Sequence, residues 1–364
     1  MHELLFQPLT VGALEVPHRV FMAPLTRMRA TQPGDVPNDL MLEYYRQRAS
    51  AGLVIAEGSQ VSPQGKGYMD TPGIYSEEQV AGWRRITDAV HEAGGLIALQ
   101  LWHVGRVSHE SFHDGQLPVS ASALPFRNRT TVRGEDGAPT RINCPTPRAL
   151  ELEEIAQTVD DFRRATLNAR EAGFDAVEIH GAHGYLIHQF LSETSNDRTD
   201  DYGGSMDNRA RFALEVVDAV VGAWDAGHVG IRISPLGTVN GLDDAGGEQM
   251  GLHLAAAFAE RRLAFLHLSE PDWAGGPEHH DDFRRSLRAA FPGVIVGAGG
   301  YSVEKAERLL GAGYIDAAAF GRQFISNPDL PARLAAGAAL NAPDYATFYG
   351  GGAEGYTDYP ALDD

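Results

Sequence analysis

The chain has 364 residues, a formal net charge of -19 at pH 7, 43% hydrophobic residues and one cysteine, Cys144. One cysteine excludes an intrachain disulfide framework and a cysteine-held iron–sulfur cluster, and the length fits either two domains or one α/β barrel with insertions. The acidic balance, with Lys66 and Lys305 as the only lysines, excludes a general nucleic-acid surface, and no run of eighteen uncharged apolar residues marks a membrane span.

In chain order, residues 1–8 carry neither a basic start nor a long apolar run, so a soluble cytoplasmic protein is expected. Residues 8–17 turn at Gly12 and read as a hairpin capping the N-terminal mouth of a barrel. Short apolar runs then alternate with longer amphipathic segments, the pattern of βαβ units in a parallel sheet. The runs are 20–24, 53–57, 96–101, 174–180, 229–233, 264–268, 294–297 and 315–320. Helices are predicted over 77–93, 151–172, 208–223 and 303–311. Eight strand–helix units predict an α/β fold closed as a (β/α)₈ TIM barrel, one domain over residues 1–364. Residues 103–148, after the third run, are too long for an ordinary βα loop and are expected to cover the site mouth. This segment carries Arg127, Arg129, Arg133, Arg141 and Arg148, either as a solvated loop or as a docking surface for a phosphate-bearing dinucleotide.

Residues at the C-terminal ends of barrel strands face one pocket. The fourth run leads into His180-Gly181-Ala182-His183-Gly184-Tyr185, two imidazoles and a phenol at one strand exit. A His-x-x-His pair alone is more often a solvated loop pair or a satisfied core pair than a metal pair, but neither reading uses Tyr185 and no third ligand follows at zinc spacing, so no metal is expected. The other strand ends contribute Pro24, Leu25 and Thr26, Gly58, Gln100 with Trp102, Arg232, Trp273, Gly299 with Gly300, and Gly321 with Arg322. Amide, guanidinium, hydroxyl and aromatic groups without concentrated carboxylates suit a planar, carbonyl-bearing ring better than a divalent metal. The glycines after the last two runs are either turn residues or a phosphate loop.

Several motifs together make the chain resemble the old yellow enzyme family of flavin-dependent ene-reductases, in particular the bacterial group of pentaerythritol tetranitrate, morphinone and N-ethylmaleimide reductases. They are Ala23-Pro24-Leu25-Thr26-Arg27, Gln100-Leu101-Trp102-His103, the segment from His180 to Leu186, Asn196-Asp197-Arg198-Thr199-Asp200-Asp201-Tyr202-Gly203-Gly204, Gly321-Arg322, and the tail from Tyr349 to Pro360. The resemblance implies non-covalent FMN, reduced by NADPH or NADH, and hydride transfer to an alkene activated by a carbonyl or nitro group. It also implies that His180 and His183 hold the substrate oxygen and that Tyr185 supplies the proton. Thr26, Gln100 and Arg232 then hold the flavin ring, Pro24, Leu25 and Gly58 shape its bed, and Gly299, Gly300, Gly321 and Arg322 take its phosphate. Tyr68, Trp102, Trp273 and Tyr349 are candidate aromatic walls for substrate, or plain packing residues.

Two other readings stay open on the residues: a nitrate-ester or nitro-compound reductase on the same flavin, and a flavin-free phosphosugar isomerase or aldolase barrel. The expected partners are small molecules, without nucleic acid or membrane, and the oligomeric state is open between monomer and dimer.

Overall fold

A computed structural model describes residues 3–243 and 246–362. Its architecture follows from the two-residue period of the short apolar runs. Val54 and Ala56 face one apolar layer while Leu53 and Ile55 face another, and Leu99 against Ala98 and Val177 against Ala176 divide in the same way. Strands apolar on both faces must be covered on both, so they form a closed ring with helices outside.

The hairpin is β1 (Leu9–Val11) and β2 (Leu14–Val16), and the first barrel strands are β3 (Val20–Met22), β4 (Val54–Gln60) and β5 (Ile97–Trp102). The segment after β5 forms β6 (Val119–Ser120), β7 (Arg129–Arg133), β8 (Pro139–Asn143) and β9 (Arg148–Ala149), with β7 and β8 antiparallel and β6 beside β9. The barrel continues through β10 (Ala176–His180), β11 (Val229–Ile233), β12 (Phe265–Ser269), β13 (Val294–Ala298) and β14 (Ala317–Phe320), which pairs back onto β3. The expected (β/α)₈ barrel, its hairpin and its long third insertion are all present.

Two of the strands start two residues later than the expected runs, β10 and β14. Asp175 and Asp316 lie just before β10 and β14, where their carboxylates accept the N–H of Ile97 at 2.7 Å and of Ile295 at 2.8 Å. With their backbone N–H groups donating to Ile97 O and Ile295 O, these residues tie the starts of neighbouring strands. Conversely β4 runs on to Gln60, through a register shift between Ala56 and Ser59.

The hairpin lies at the N-terminal end of the barrel, where the Ala13 N–H donates to Gly227 O at 2.9 Å, two residues before β11. Gly12 has φ +60, and a Cβ there would stand 2.2 Å from Gly227 O, so the turn requires glycine. Outside the ring, α1 (Asp39–Gln47), α2 (Glu77–Glu92), α3 (Leu152–Glu171), α4 (Leu186–Leu191) and α5 (Met206–Ala223) are followed by α6 (Gly247–Glu260), α7 (Asp281–Ala290) and α8 (Val303–Gly311). The short α9 (Arg322–Ser326) and α10 (Leu330–Ala336) come last. Helix α2 starts where its periodicity predicts because Ser76 and Gln79 form a reciprocal capping box. Among the described residues, no helix is long and apolar enough to cross a membrane.

Inside the ring the lower layer is apolar, built on Phe21, Ile55, Phe265 and Val296. The same two-residue period then places Gln100, Glu178, His180, Arg232, His267 and Ser269 above it, toward the C-terminal mouth. Register couples these positions across strands: Glu178 with Gln100, His180 with Arg232, and Arg232 with His267.

Candidate active site

The floor of the mouth is a hydrogen-bonded ring of polar side chains. Gln100 donates an amide N–H to Glu178 Oε1 at 2.7 Å, and Glu178 Oε2 meets His267 Nδ1 at 2.6 Å. Arg232 reaches Ser269 Oγ with Nη2 at 3.4 Å, while its Nε is buried with no partner among the described residues. An unmade charged hydrogen bond in a buried position is costly, so a ligand with an acceptor edge fits this floor.

Above it, the two imidazoles stand edge to face, with ring centroids 5.4 Å apart. Their donor ends follow from their partners. His180 Nδ1 accepts the N–H of Ala182 at 3.3 Å, which puts the His180 proton on Nε2. His183 Nε2 lies 2.8 Å from Ser269 Oγ. A guanidinium can only donate, so Ser269 accepts from Arg232 and its own hydroxyl hydrogen is available to His183 Nε2, an arrangement that goes with the His183 proton on Nδ1. Burial, then the nearby Arg232 charge, holds both imidazoles well below the usual histidine range, so both are neutral donors at neutral pH.

Tyr185 caps the start of α4, its ring 5.0 Å from His180 and 5.0 Å from Trp102, both edge to face. Its hydroxyl lies 3.1 Å from the Tyr68 hydroxyl. Burial raises the phenol above its ordinary value, and the hydrogen bond it shares with Tyr68 opposes the rise. Tyr68 stacks on Trp102 with centroids 5.7 Å apart, and Trp273, partly exposed, comes within 5.6 Å of the His183 ring. Tyr349 is 61% exposed on the C-terminal tail.

The remaining positions distribute unevenly. Gly58 gives its space to an aromatic ring: a Cβ there would stand 2.8 Å from Trp102. Thr26 and Leu25 are half-buried beside buried Pro24. Next to them Arg27 donates to Phe348 O at 2.8 Å and Gly355 O at 3.0 Å, bolting the tail to this loop. The Gly300 N–H donates to Asp272 Oδ1 at 2.8 Å, and Asp272 Oδ2 takes Lys305 Nζ at 2.7 Å. The loop after β13 is thus shaped around an anionic oxygen. Gly321 precedes α9, and Arg322 there is exposed, donating to Trp273 O at 3.2 Å. Guanidinium and amide groups on the floor, with glycine loops after β13 and β14, fit the ring and phosphate of FMN. Among the described residues, no group of three or more His, Cys, Asp or Glu side chains is placed to hold a metal ion.

The arginine-rich insertion is partly committed to structure. Arg133 pairs with Asp70 at 2.6 Å and Arg148 with Glu154 at 2.7 Å, and Arg141 donates to Arg129 O at 3.1 Å. The expectation of few carboxylates needs correction. Glu57, Glu178 and Glu270 are buried near the strand ends. Each is bonded: Glu57 to the Arg27 N–H and Tyr45, Glu178 as above, and Glu270 to Arg284, Tyr301 and Lys305. The alternation of strand residues would have flagged Glu178, His267 and Ser269 as inward-facing; Asn240, in a turn, left no such signal.

Comparison with known proteins agrees with this geometry. Residues 4–341 match the model of the NADH:flavin oxidoreductase / NADH oxidase family. The chain is 45% identical to putative 12-oxophytodienoate reductase 11 of Oryza sativa subsp. japonica, covering 98% of this chain and 97% of that one. It is 43% identical to 12-oxophytodienoate reductase 2 of Arabidopsis thaliana, over 99% and 96% of the two chains. Morphinone reductase in complex with tetrahydroNAD superimposes with a TM-score of 0.95 at 50% identity, over 99% of this chain and 98% of that one. The old yellow enzyme homologue of Zymomonas mobilis gives 0.93 at 40%, over 98% and 99%. The chain belongs to the NADH:flavin oxidoreductase family, the family of old yellow enzyme.

Proposed function

We propose that this member of the family is an FMN-dependent ene-reductase that uses NADPH or NADH to reduce C=C bonds activated by a carbonyl or nitro group. The observation that carries this reading is the meeting of two neutral imidazole donors and one phenol above a floor with a guanidinium nitrogen that has no partner among the described residues. The named substrates of the relatives, 12-oxophytodienoate and morphinone, are oxo compounds, and an α,β-unsaturated ketone is the matching substrate class for this chain.

Arg232, Gln100 and Thr26 would hold the ring of FMN, Pro24, Leu25 and Gly58 would border it, and Gly299, Gly300, Gly321 and Arg322 would take its phosphate. When bound, FMN supplies the hydride, accepted from NAD(P)H and passed to the carbon β to the activating group. His180 Nε2–H and His183 Nδ1–H bond the substrate oxygen, polarise the double bond and stabilise the charge that accumulates on that oxygen. Tyr185 gives its proton to the α carbon. Tyr68, Trp102, Trp273 and Tyr349 wall the substrate, and residues 103–148 cover the mouth of a single FMN-binding domain. The one cysteine, Cys144, is a buried free thiol, consistent with a reducing, cytoplasmic setting.

A phosphosugar isomerase or aldolase needs an available carboxylate or lysine at the strand ends. Glu57, Glu178 and Glu270 are tied as described, and Lys66 and Lys305 pair with Asp35 and Asp272, which weighs against that class. A nitro-compound reductase would use this same site and differ only in substrate. The test is anaerobic spectroscopy of the purified protein: a yellow flavin spectrum should bleach with NADPH and return with 2-cyclohexenone. A protein that takes up no FMN, or whose bleached spectrum ignores the enone, would overturn the proposal.

A further inference from the structure

We infer that Glu178 is a positioning residue for the flavin: its buried carboxylate turns the Gln100 amide so that the amide oxygen faces the ring and pairs with the ring N3–H. This rests on the ene-reductase reading and deepens it, because it fixes which edge of the isoalloxazine meets which side of the floor.

Glu178 and His267 are both fully buried inside the barrel. Glu178 Oε1 accepts from Gln100 Nε2 at 2.7 Å, and Glu178 Oε2 lies 2.6 Å from His267 Nδ1. A carboxylate has no hydrogen to give, so Gln100 donates from its NH₂ group and His267 from Nδ1. The two ends of a glutamine amide have the same shape, and only a partner that accepts without donating decides between them. With its nitrogen held on Glu178, Gln100 turns its oxygen away from the carboxylate, and no described residue donates to that oxygen. Among the described residues Glu178 has no lysine or arginine within ion-pair distance. Burial also holds the His267 imidazole below its usual range, so its partners are neutral. A buried carboxylate served only by neutral donors is costly, and a neutral side chain would fill the same space at less cost. What the carboxylate adds is direction, because an amide or a hydroxyl in its place could also donate.

The strands are arranged for this reach. Register pairs Glu178 with Gln100 on one side and with Gly230 on the other. Gly230 has no side chain to stand between β10 and β12, and the Phe265 ring takes that space, 2.3 Å from where a Cβ would be. Phe265 belongs to the apolar layer beneath, so the polar ring rests on a dry base. Two residues on from Gly230, Arg232 offers an Nε without a partner among the described residues. The floor therefore presents a donor from β11 and an acceptor from β5. An oxidised isoalloxazine has one ring N–H, at N3, flanked by two carbonyls, and its remaining polar atoms accept. Gln100 Oε1 suits the N3–H and the guanidinium suits an accepting edge. With the amide reversed, its NH₂ would meet the N3–H donor against donor.

The test loads the full-length protein with FMN labelled with nitrogen-15 at N3, so that NMR reads the exchange of that proton with water and no turnover is needed. The wild type should hold the proton about tenfold longer than Gln100→Met, which has no acceptor. Glu178→Gln keeps the shape but can donate to the Gln100 oxygen, and exchange should become about fivefold faster than in the wild type. Adding Glu178→Gln to Gln100→Met should speed it no further. FMN methylated at N3 gives a second reading: the ratio of its Kd to that of FMN should fall about fivefold in Glu178→Gln, and the change of charge cancels in that ratio. Thermal melts identify folded protein. Exchange and ratio both unmoved in folded Glu178→Gln, or an equal change in the Gln100→Met background, would overturn the assignment. If Glu178→Gln does not fold, equal exchange in the wild type and Gln100→Met would overturn it instead. A wild-type protein that takes up no FMN brings down both readings. One that binds FMN and leaves 2-cyclohexenone unreduced brings down the ene-reductase reading alone, and N3 exchange still decides the role of Glu178.

Discussion

Ser269 makes a sharp test of how the second histidine is set up. Its hydroxyl stands 3.4 Å from Arg232 Nη2 and 2.8 Å from His183 Nε2, and a relay from Arg232 through Ser269 would place the His183 proton on Nδ1. Ser269→Ala removes one neutral hydrogen bond, worth about 1 kcal/mol, and lets the imidazole take either tautomer. The expected result is about fivefold weaker binding of a carbonyl or phenol ligand and a similar loss in kcat/KM for 2-cyclohexenone. Titration of the flavin spectrum with a phenol measures the first quantity, and steady-state kinetics the second. His183→Asn supplies the control, because an amide N–H donor has no tautomer to choose. In that background, Ser269→Ala should cost little. An equal loss in both backgrounds, or no loss in either, would refute the relay and with it the assignment of Nδ1 as the substrate-facing donor.

Tyr185→Phe should leave flavin content and NADPH-driven bleaching in place and slow alkene reduction about 10²- to 10⁴-fold in single-turnover mixing; equal turnover would remove Tyr185 as the proton donor. Burial raises the Glu57 carboxyl from its ordinary 4.5 to about 7, against the opposing bonds from the Arg27 N–H and Tyr45. Because the folded state holds that proton more tightly, its contribution is complete below about pH 4.5 and is lost as pH rises to about 7, on the order of 3 kcal/mol. Glu57→Gln should therefore flatten the decline of unfolding free energy across that window in urea titrations, and an unchanged slope would contradict the burial argument. Glu270 is also buried, yet two bonds of 2.8 Å from Arg284 overcome the desolvation and carry it down to about 2. Glu270→Ala strands that guanidinium and should lower the unfolding free energy by about 3–5 kcal/mol, measured by denaturant melts.

What was legible in the sequence divides along physical lines. The barrel was visible because eight short apolar runs alternate with amphipathic segments; these are local properties, readable without knowing the partner strand. The His180, His183 and Tyr185 constellation was visible because one strand exit holds all three. The partners of Ser269, Glu178 and Asn240 were not, because these contacts arise from registers and turns that bring together residues distant in sequence. For Glu178, only the pairing of β10 with β5 and the ring position of β12 bring it to Gln100 and His267. Gly58 shows the converse, a glycine expected beneath a ligand whose missing side chain makes room for Trp102.

The measurement closest to the central claim is isotopic labelling of the product. The wild-type protein, supplied with unlabelled NADPH in deuterium oxide, should reduce 2-cyclohexenone to a ketone that gains one solvent deuterium at the α carbon and unlabelled hydrogen at the β carbon. Under single-turnover conditions, the rate of that product's formation should fall with Tyr185→Phe. Solvent label at the β carbon, or undiminished product formation in Tyr185→Phe, would contradict hydride delivery to the β carbon with proton supply from this phenol.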